Sequence, residues 1–159
     1  MNPKDDRELL LGELSKIWVV QRLKHINLSA VPPWLGPKVS TASRFQHSLA
    51  VGKLSLLVSG GAKHDQLLLA AAAILHDVGD GPFPHISDQI MKEKLGFAHE
   101  EALEFAFEHS PFNDSQALCR YGLDLEEVSS VLEGRHRLST FLYGLPDLDN
   151  TDNIHRFIK

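Results

Sequence analysis

Nine consecutive apolar residues, Leu67 to Leu75, constrain how this chain can fold more than any other feature. The run is apolar on every side of whichever regular element it forms, so it must be buried. A buried strand of that length is conceivable. The four consecutive alanines, Ala70 to Ala73, favour a helix, where alanine loses no side-chain freedom. At nine residues it is also far short of the roughly 20 needed to cross a bilayer. It stops at His76-Asp77-Val78-Gly79-Asp80-Gly81-Pro82, where glycines and a proline punctuate the chain. A buried helix that delivers a histidine and an aspartate at its end is the centre of this sequence.

Around that run the hydrophobic spacing is helical nearly everywhere. Leu9 to Ile26 reads as helical, with a break near Gly12. Val31-Pro32-Pro33-Trp34 then imposes an irregular loop, because proline restricts both itself and the residue before it. The loop runs to about Thr41, and Thr41 or Ser43 can cap the next helix, expected over Arg44 to Ser59. That helix places His47, Val51, Leu54 and Val58 on one face, and Gly60-Gly61 ends it. Further helices are expected over His85 to Leu95, Glu100 to His109, Ser115 to Tyr121 and Leu125 to Glu133. A last one begins near Asp147 or Asp149. No run of alternating β-branched residues interrupts the pattern. The expected fold class is all-α, a single domain over residues 1–159 with one core.

Charge and cysteine content narrow the function. A net charge of −5 argues against broad nucleic-acid binding, which needs a basic surface. It leaves room for one small phosphorylated substrate, because a metal ion and an arginine can supply the local positive charge. Met1 to Glu8 is polar and mixed in charge, unlike a signal peptide, so no membrane association and a cytoplasmic location are expected. Cys119 is alone, which excludes an internal disulfide and a thiolate zinc cluster; its helical setting predicts a buried, inert thiol. Nine histidines remain, and histidine is the commonest metal ligand and acid–base side chain.

Three groups of polar residues could carry chemistry. His76-Asp77 emerges from a buried segment at a cost of about several kcal/mol unless compensated. A capping Asp77 and a carbonyl-bonded His76 would suffice structurally. His47 adds to this, since it opens a core-facing helix stripe with Arg44 three residues earlier on the same side. A lone core histidine is usually just satisfied there, but a metal at His47 and a phosphate at Arg44 explain both residues. The planar arginine fork matches phosphate with two parallel hydrogen bonds. The third group is Leu145-Pro146-Asp147-Leu148-Asp149-Asn150-Thr151-Asp152-Asn153. Its aspartates can serve as an acidic helix start favoured by the dipole. One of them can instead complete a set of two imidazoles and two carboxylates, which suits octahedral Mn, Fe, Ni, Co or Mg.

Taken in order, these segments resemble the HD-domain phosphohydrolases, in particular the deoxynucleoside-triphosphate triphosphohydrolase branch. The resemblance runs from Gln21 to Arg156. Gln21-Arg22-Leu23-Lys24 is similar to a QRL-basic motif, and Arg44-Phe45-Gln46-His47-Ser48-Leu49-Ala50-Val51 to an RFxHSLxV segment. His76-Asp77-Val78-Gly79, followed by Gly81-Pro82-Phe83 and His85, matches HDxGxGPFxH. His99-Glu100 matches a later HE, and Asp147 to Asp152 a DxDxxD segment. The resemblance implies one divalent metal on His47, His76, Asp77 and Asp149, with Arg44 against a phosphate. It makes His85 and Asp88 the acid–base pair and places His99 in the same pocket. Asp88 lies one turn after His85, so it could orient that ring and raise its pKa. It also implies a nucleotide substrate and an oligomeric assembly.

The departures concern substrate contacts. Asp80 stands where the triphosphohydrolases usually carry a histidine near the phosphates. Asn153 replaces a tyrosine, and Phe157 an aspartate, that clasp the sugar. All three weaken the case for a deoxynucleoside triphosphate. Relatives continue beyond the point where Lys159 stands, so a fragment, or a partner covering that end, is expected. Arg135-His136-Arg137 reads as a solvated basic turn; His25, His64, His109 and His155 read as ordinary surface or satisfied residues; Trp18 and Trp34 read as core or interface aromatics. The expected reaction is metal-dependent hydrolysis of a phosphate ester or anhydride. A non-catalytic nucleotide-binding or regulatory domain is the first alternative. A dinuclear iron oxygenase, with Asp80, His85 and His99 on a second cation, is the other.

Overall fold

The computed structural model describes residues 5–29, 41–58, 60–81, 90, 92–94, 96, 102–144 and 147–157. Among these residues the secondary structure is helical, with no strand and one isolated bridge between Asn27 and Ser43. The all-α expectation therefore holds. No helix among them is long and apolar enough to cross a membrane.

The nine-residue apolar run lies within α4, Lys63–Leu75, and every residue from Leu67 to Leu75 is buried. Helix α1, Asp6–Leu14, and helix α3, Arg44–Ser55, both pack on α4, as does α7, Leu125–Leu132. Burying a Leu or Ile side chain stabilises by about 1.5–3 kcal/mol. Leu68, Ile74 and Leu75 on α4, with Leu10 and Leu14 on α1, are almost wholly inaccessible, so the core is centred here.

Helix α3 differs from the sequence expectation in length and in facing. Its start is a capping box: Gln46 N donates to Ser43 Oγ at 3.3 Å and Ser43 N donates to Gln46 Oε1 at 3.1 Å. It ends at Ser55, not Ser59, because the chain tightens into 3₁₀ turns whose carbonyls at Leu56 and Val58 accept from Arg7 Nη1. Its buried side is His47, Ser48, Val51, Gly52 and Ser55, while Leu54 and Val58 are only partly covered. Small residues turn inward because α4 comes close: a Cβ on Gly52 would lie 3.3 Å from Ile74 Cβ and 3.0 Å from Leu11 Cδ2. Gly60 and Gly61, with φ of 98° and 81°, form the turn into α4 rather than the end of α3.

The segment before α3 breaks at Ser15 to Ile17, not at Gly12, which stays inside α1. Helix α2, Trp18–Gln21, needs a cap at that break, and the buried carboxylate of Asp114 supplies one. It accepts from Trp18 N at 3.3 Å and from Val19 N at 3.1 Å. A 3₁₀ turn, Arg22–His25, follows. Arg44 N then donates to Ile26 O at 2.8 Å, which fixes Arg44 against that turn.

Further described helices are α5, Leu103–Glu108, α6, Gln116–Cys119, α8, Ser139–Tyr143, and α9, Leu148–Phe157, and residues 90 and 92–94 are also helical. Each of α5 and α6 is shorter than its expected span, α9 begins where expected, at Leu148, and α8 is not marked by the hydrophobic spacing at all. Ser139 Oγ donates to Val131 O at 2.6 Å and ties α8 to α7. Cys119 is exposed, contrary to expectation. Ala117 and Leu118 fill the inward side of the single-turn α6, and the next residue points outward. Trp18 is 38% exposed; Trp34 lies outside the described residues.

Candidate metal centre

Three separate segments bring polar side chains to one place beside the core. His76 sits at the C-cap of α4, and its Nδ1 donates to Ala73 O at 2.9 Å. That bond fixes the tautomer and leaves Nε2 as the outward lone pair. His47, in the first turn of α3, is held in the same way by a carboxylate: its Nδ1 lies 2.7 Å from Asp152 Oδ2. The two Nε2 atoms therefore face each other, 3.3 Å apart, with the rings edge-on at 74°.

Carboxylates complete the cluster. Asp149, in the first turn of α9, places Oδ1 at 2.8 Å from His47 Nε2 and 3.9 Å from His76 Nε2. Asp77 Oδ1 is 3.3 Å from His76 Nε2, and Asp77 Oδ2 is 3.9 Å from His47 Nε2. Asp77 Oδ2 is buried and accepts no hydrogen bond among the described residues. Two imidazole lone pairs converging on carboxylate oxygens repel one another unless something positive lies between them. His47, His76 and Asp149 can each offer one ligand atom, all within 4.8 Å of one another, and Asp77 adds its unsatisfied oxygen. This is a donor set that a divalent cation satisfies.

The ionisation of these groups follows from the same geometry. Burial works against a charged His47, but the Asp149, Asp77 and Asp152 carboxylates outweigh it, so its pKa lies above the ordinary histidine value. Burial likewise pushes Asp149 upward, and the opposing pull of His47, His76 and Arg44 holds it below the usual carboxylate range.

Two arginines shape the turn after α4. Arg44 Nη1 is 2.7 Å from Asp77 Oδ1 and 2.8 Å from Asp80 Oδ2. Its buried Nε finds no acceptor among the described residues. Arg22 Nη1 donates to Asp80 O at 2.9 Å and its Nη2 donates to Val78 O, so the guanidinium clamps the 76–80 turn from below. Burial depresses the Arg22 pKa, with Asp80 opposing.

The structure sorts the three aspartates of the last segment. Asp147 caps α9, accepting from Asn150 N at 2.5 Å and Asn150 Nδ2 at 2.8 Å. Asp149 faces the histidines, and Asp152 orients His47 while its Oδ2 also accepts from Arg156 Nε. Asn153 donates its Nδ2 to Asp149 Oδ1 at 2.9 Å, so it buttresses that carboxylate. The work of Asp152, Arg156 and Arg22 is not apparent from the sequence motifs. The available signal was the i, i+3 spacing of Asp149 and Asp152 and the i, i+4 spacing of Asp152 and Arg156. His85, Asp88 and His99 lie outside the described residues, as does the side chain of Phe157.

A helical domain whose α3, α4 and α9 present two histidines and two aspartates at one point is a candidate metalloprotein, and comparison with known proteins agrees. The family model described as "HD domain" matches residues 44–149, a segment that opens on Arg44 and closes on Asp149. The chain belongs to the HD-domain family. It is 32% identical over 123 residues to the deoxynucleoside triphosphate triphosphohydrolase SAMHD1 of Gallus gallus, covering 67% of this chain and 20% of that protein. The same figures hold for SAMHD1 of Homo sapiens. An uncharacterized Bacillus subtilis protein, YdhJ, is 31% identical over 121 residues, covering 76% of this chain and 35% of its own. A crystal structure of a phosphohydrolase from Bacteroides thetaiotaomicron superposes with a TM-score of 0.69 at 23% identity, covering 98% of this chain and 38% of that one. This chain thus spans only about a sixth to a third of the curated relatives it matches.

Proposed function

We propose that this chain carries the catalytic site of a metal-dependent phosphohydrolase that cleaves a phosphoester or phosphoanhydride of a small substrate, a nucleotide by analogy with the relatives. One observation carries the reading. Side chains from three segments, the outermost 102 residues apart, meet with His47 Nε2 2.8 Å from Asp149 Oδ1 and 3.3 Å from His76 Nε2. Both imidazoles have their Nδ1 tied back, and Asp77 adds a buried oxygen with no hydrogen bond. His47, His76, Asp77 and Asp149 would hold one divalent ion, with Mn, Fe, Ni, Co and Mg all chemically suitable.

A divalent ion held by His47, His76, Asp77 and Asp149 would supply Lewis-acid polarisation of a phosphoryl oxygen and activation of water near neutral pH. The chain's own residues do the rest. Arg44 offsets charge growing on the phosphoryl oxygens. Asn153 and Asp152 keep Asp149 and His47 in their orientations, so little reorganisation accompanies reaction. By resemblance, His85 assisted by Asp88 moves a proton at the leaving group, with His99 lining the pocket.

Elemental analysis of purified protein, followed by a nucleotide and phosphoester panel with Mn, Ni, Co and Mg, tests the proposal. His76→Ala and Asp77→Ala should abolish metal-dependent turnover while the helical circular dichroism persists. Full activity in metal-stripped Asp77→Ala protein defeats it. The two carboxylates already on Arg44 Nη1 favour a second reading, a regulatory domain that binds metal and ligand without turnover, and the same panel separates the two. The Arg44 ion pair also opposes the use of Asp80 as ligand to a second cation, as a dinuclear oxygenase would require.

A further inference from the structure

Asp80 is the one buried acid in the cluster to which the proposed reaction gives no work. It is 3% exposed, and its Oδ2 lies 2.8 Å from Arg44 Nη1, the group proposed to meet phosphate. Its backbone is fixed by Arg22, through the bonds to Asp80 O and Val78 O, so the carboxylate is held beside Arg44. A phosphoryl oxygen approaching that nitrogen must displace a carboxylate or share the donor with it.

We infer that Asp80 is a specificity-determining residue that restricts the site to substrates presenting a single phosphoryl group of low charge and disfavours polyphosphates. The inference rests on the phosphohydrolase reading above. Among the described residues, four carboxylates, Asp77, Asp80, Asp149 and Asp152, have oxygens within 4 Å of His47, His76 or Arg44. Three guanidinium groups, Arg22, Arg44 and Arg156, contact those acids or the turn that carries Asp80. A dication turns the single excess negative charge into a single excess positive one. That single positive charge suits one phosphoryl group of low charge, such as a singly charged diester. Each further phosphate adds charge that no described group meets, and Asp80 neutralises the arginine that could have met it. In a buried, low-dielectric setting an unmatched anion beside a carboxylate is strongly disfavoured.

The test measures binding, not turnover. Orthophosphate, pyrophosphate and tripolyphosphate are titrated calorimetrically into wild-type and Asp80→Asn protein, with free Mn held constant by a metal buffer. In the wild type, affinity should stay level or fall along the series. In Asp80→Asn it should rise, with tripolyphosphate tightening about tenfold or more and orthophosphate changing by less than about threefold; such a gap corresponds to the strength of a charge-assisted contact. A tenfold rise along the series in the wild type overturns the inference without reference to any variant. Parallel series in the two proteins overturn it as well. If Mn binds but neither protein takes up any of the three anions, the phosphohydrolase reading fails and this inference with it.

Discussion

Asp152 Oδ2 accepts the Nδ1 proton of His47 at 2.7 Å and is gripped on the same oxygen by Arg156 Nε. Arg156 Nη2 also donates to Gln46 O at 2.9 Å, so the carboxylate is braced from α9 and α3 at once. The arrangement fixes which nitrogen of His47 is available, because the proton stays on the Asp152 side.

Loss of that brace should cost metal affinity rather than fold. Asp152→Asn can present an amide donor where the carboxylate accepted, which favours the wrong tautomer of His47. Mn affinity of the variant, measured by titration calorimetry on chelator-treated protein, should fall by about 10–100-fold. An unchanged dissociation constant would show that Asp152 has no part in preparing the histidine.

Metal should also stabilise the fold, since the proposed ligands are assembled only when folded. At 100 times the dissociation constant the linkage contributes about 2.7 kcal/mol. For a domain of this size that corresponds to a rise of roughly 5–11 °C in Tm. Adding Mn should raise the wild-type Tm by that amount, and adding a chelator should reverse it. Asp77→Ala should show neither response.

The pH dependence should have opposite signs with and without metal. The folded pKa of His47 is raised, so in metal-free protein its stabilising contribution is complete below the unfolded value, about 6.5, and is lost as pH climbs through the folded one. Metal binding needs the same nitrogen deprotonated, so Mn affinity should weaken as pH falls from about 8 to about 6. Urea unfolding of the metal-free protein and Mn titrations across that range check the two trends. If both run in the same direction, His47 is not the shared site of proton and metal.

Gly52 sets the spacing between α3 and α4. A valine there would press on Ile74 Cβ and Leu11 Cδ2, already 3.3 and 3.0 Å from a bare Cβ. Gly52→Val should destabilise by about 1–3 kcal/mol in urea unfolding and should weaken Mn binding too, because His47 lies on the same helix. Unaltered stability would mean that the helices part freely.

The sequence makes the central helix, the helical class and the four side chains that converge beside the core legible, because each rests on strong local chemistry. Leu67 to Leu75 leaves no face for water, and His47, His76, Asp77 and Asp149 stand in recognisable order. Less legible are features decided by distant partners. The break at Ser15 depends on Asp114, 99 residues later, capping α2. The early end of α3 depends on Arg7 reaching the carbonyls of Leu56 and Val58. The outward face of Cys119 follows from a helix of only 4 residues, too short to show periodicity. Asp80 reads from sequence as an acid near a substrate; only the structure shows its carboxylate beside Arg44.

Among the described side chains of helix α9, those that reach α3 are charged. Asp149, Asp152 and Arg156 reach α3, while Leu148 is only partly buried against the core and Ile154 points to solvent. Attachments made by ions loosen wherever those ions are stripped or screened. Amide exchange along this last helix should therefore act as a gauge of site occupancy, slow when the cation bridges it to the body and fast when a chelator has taken the cation away.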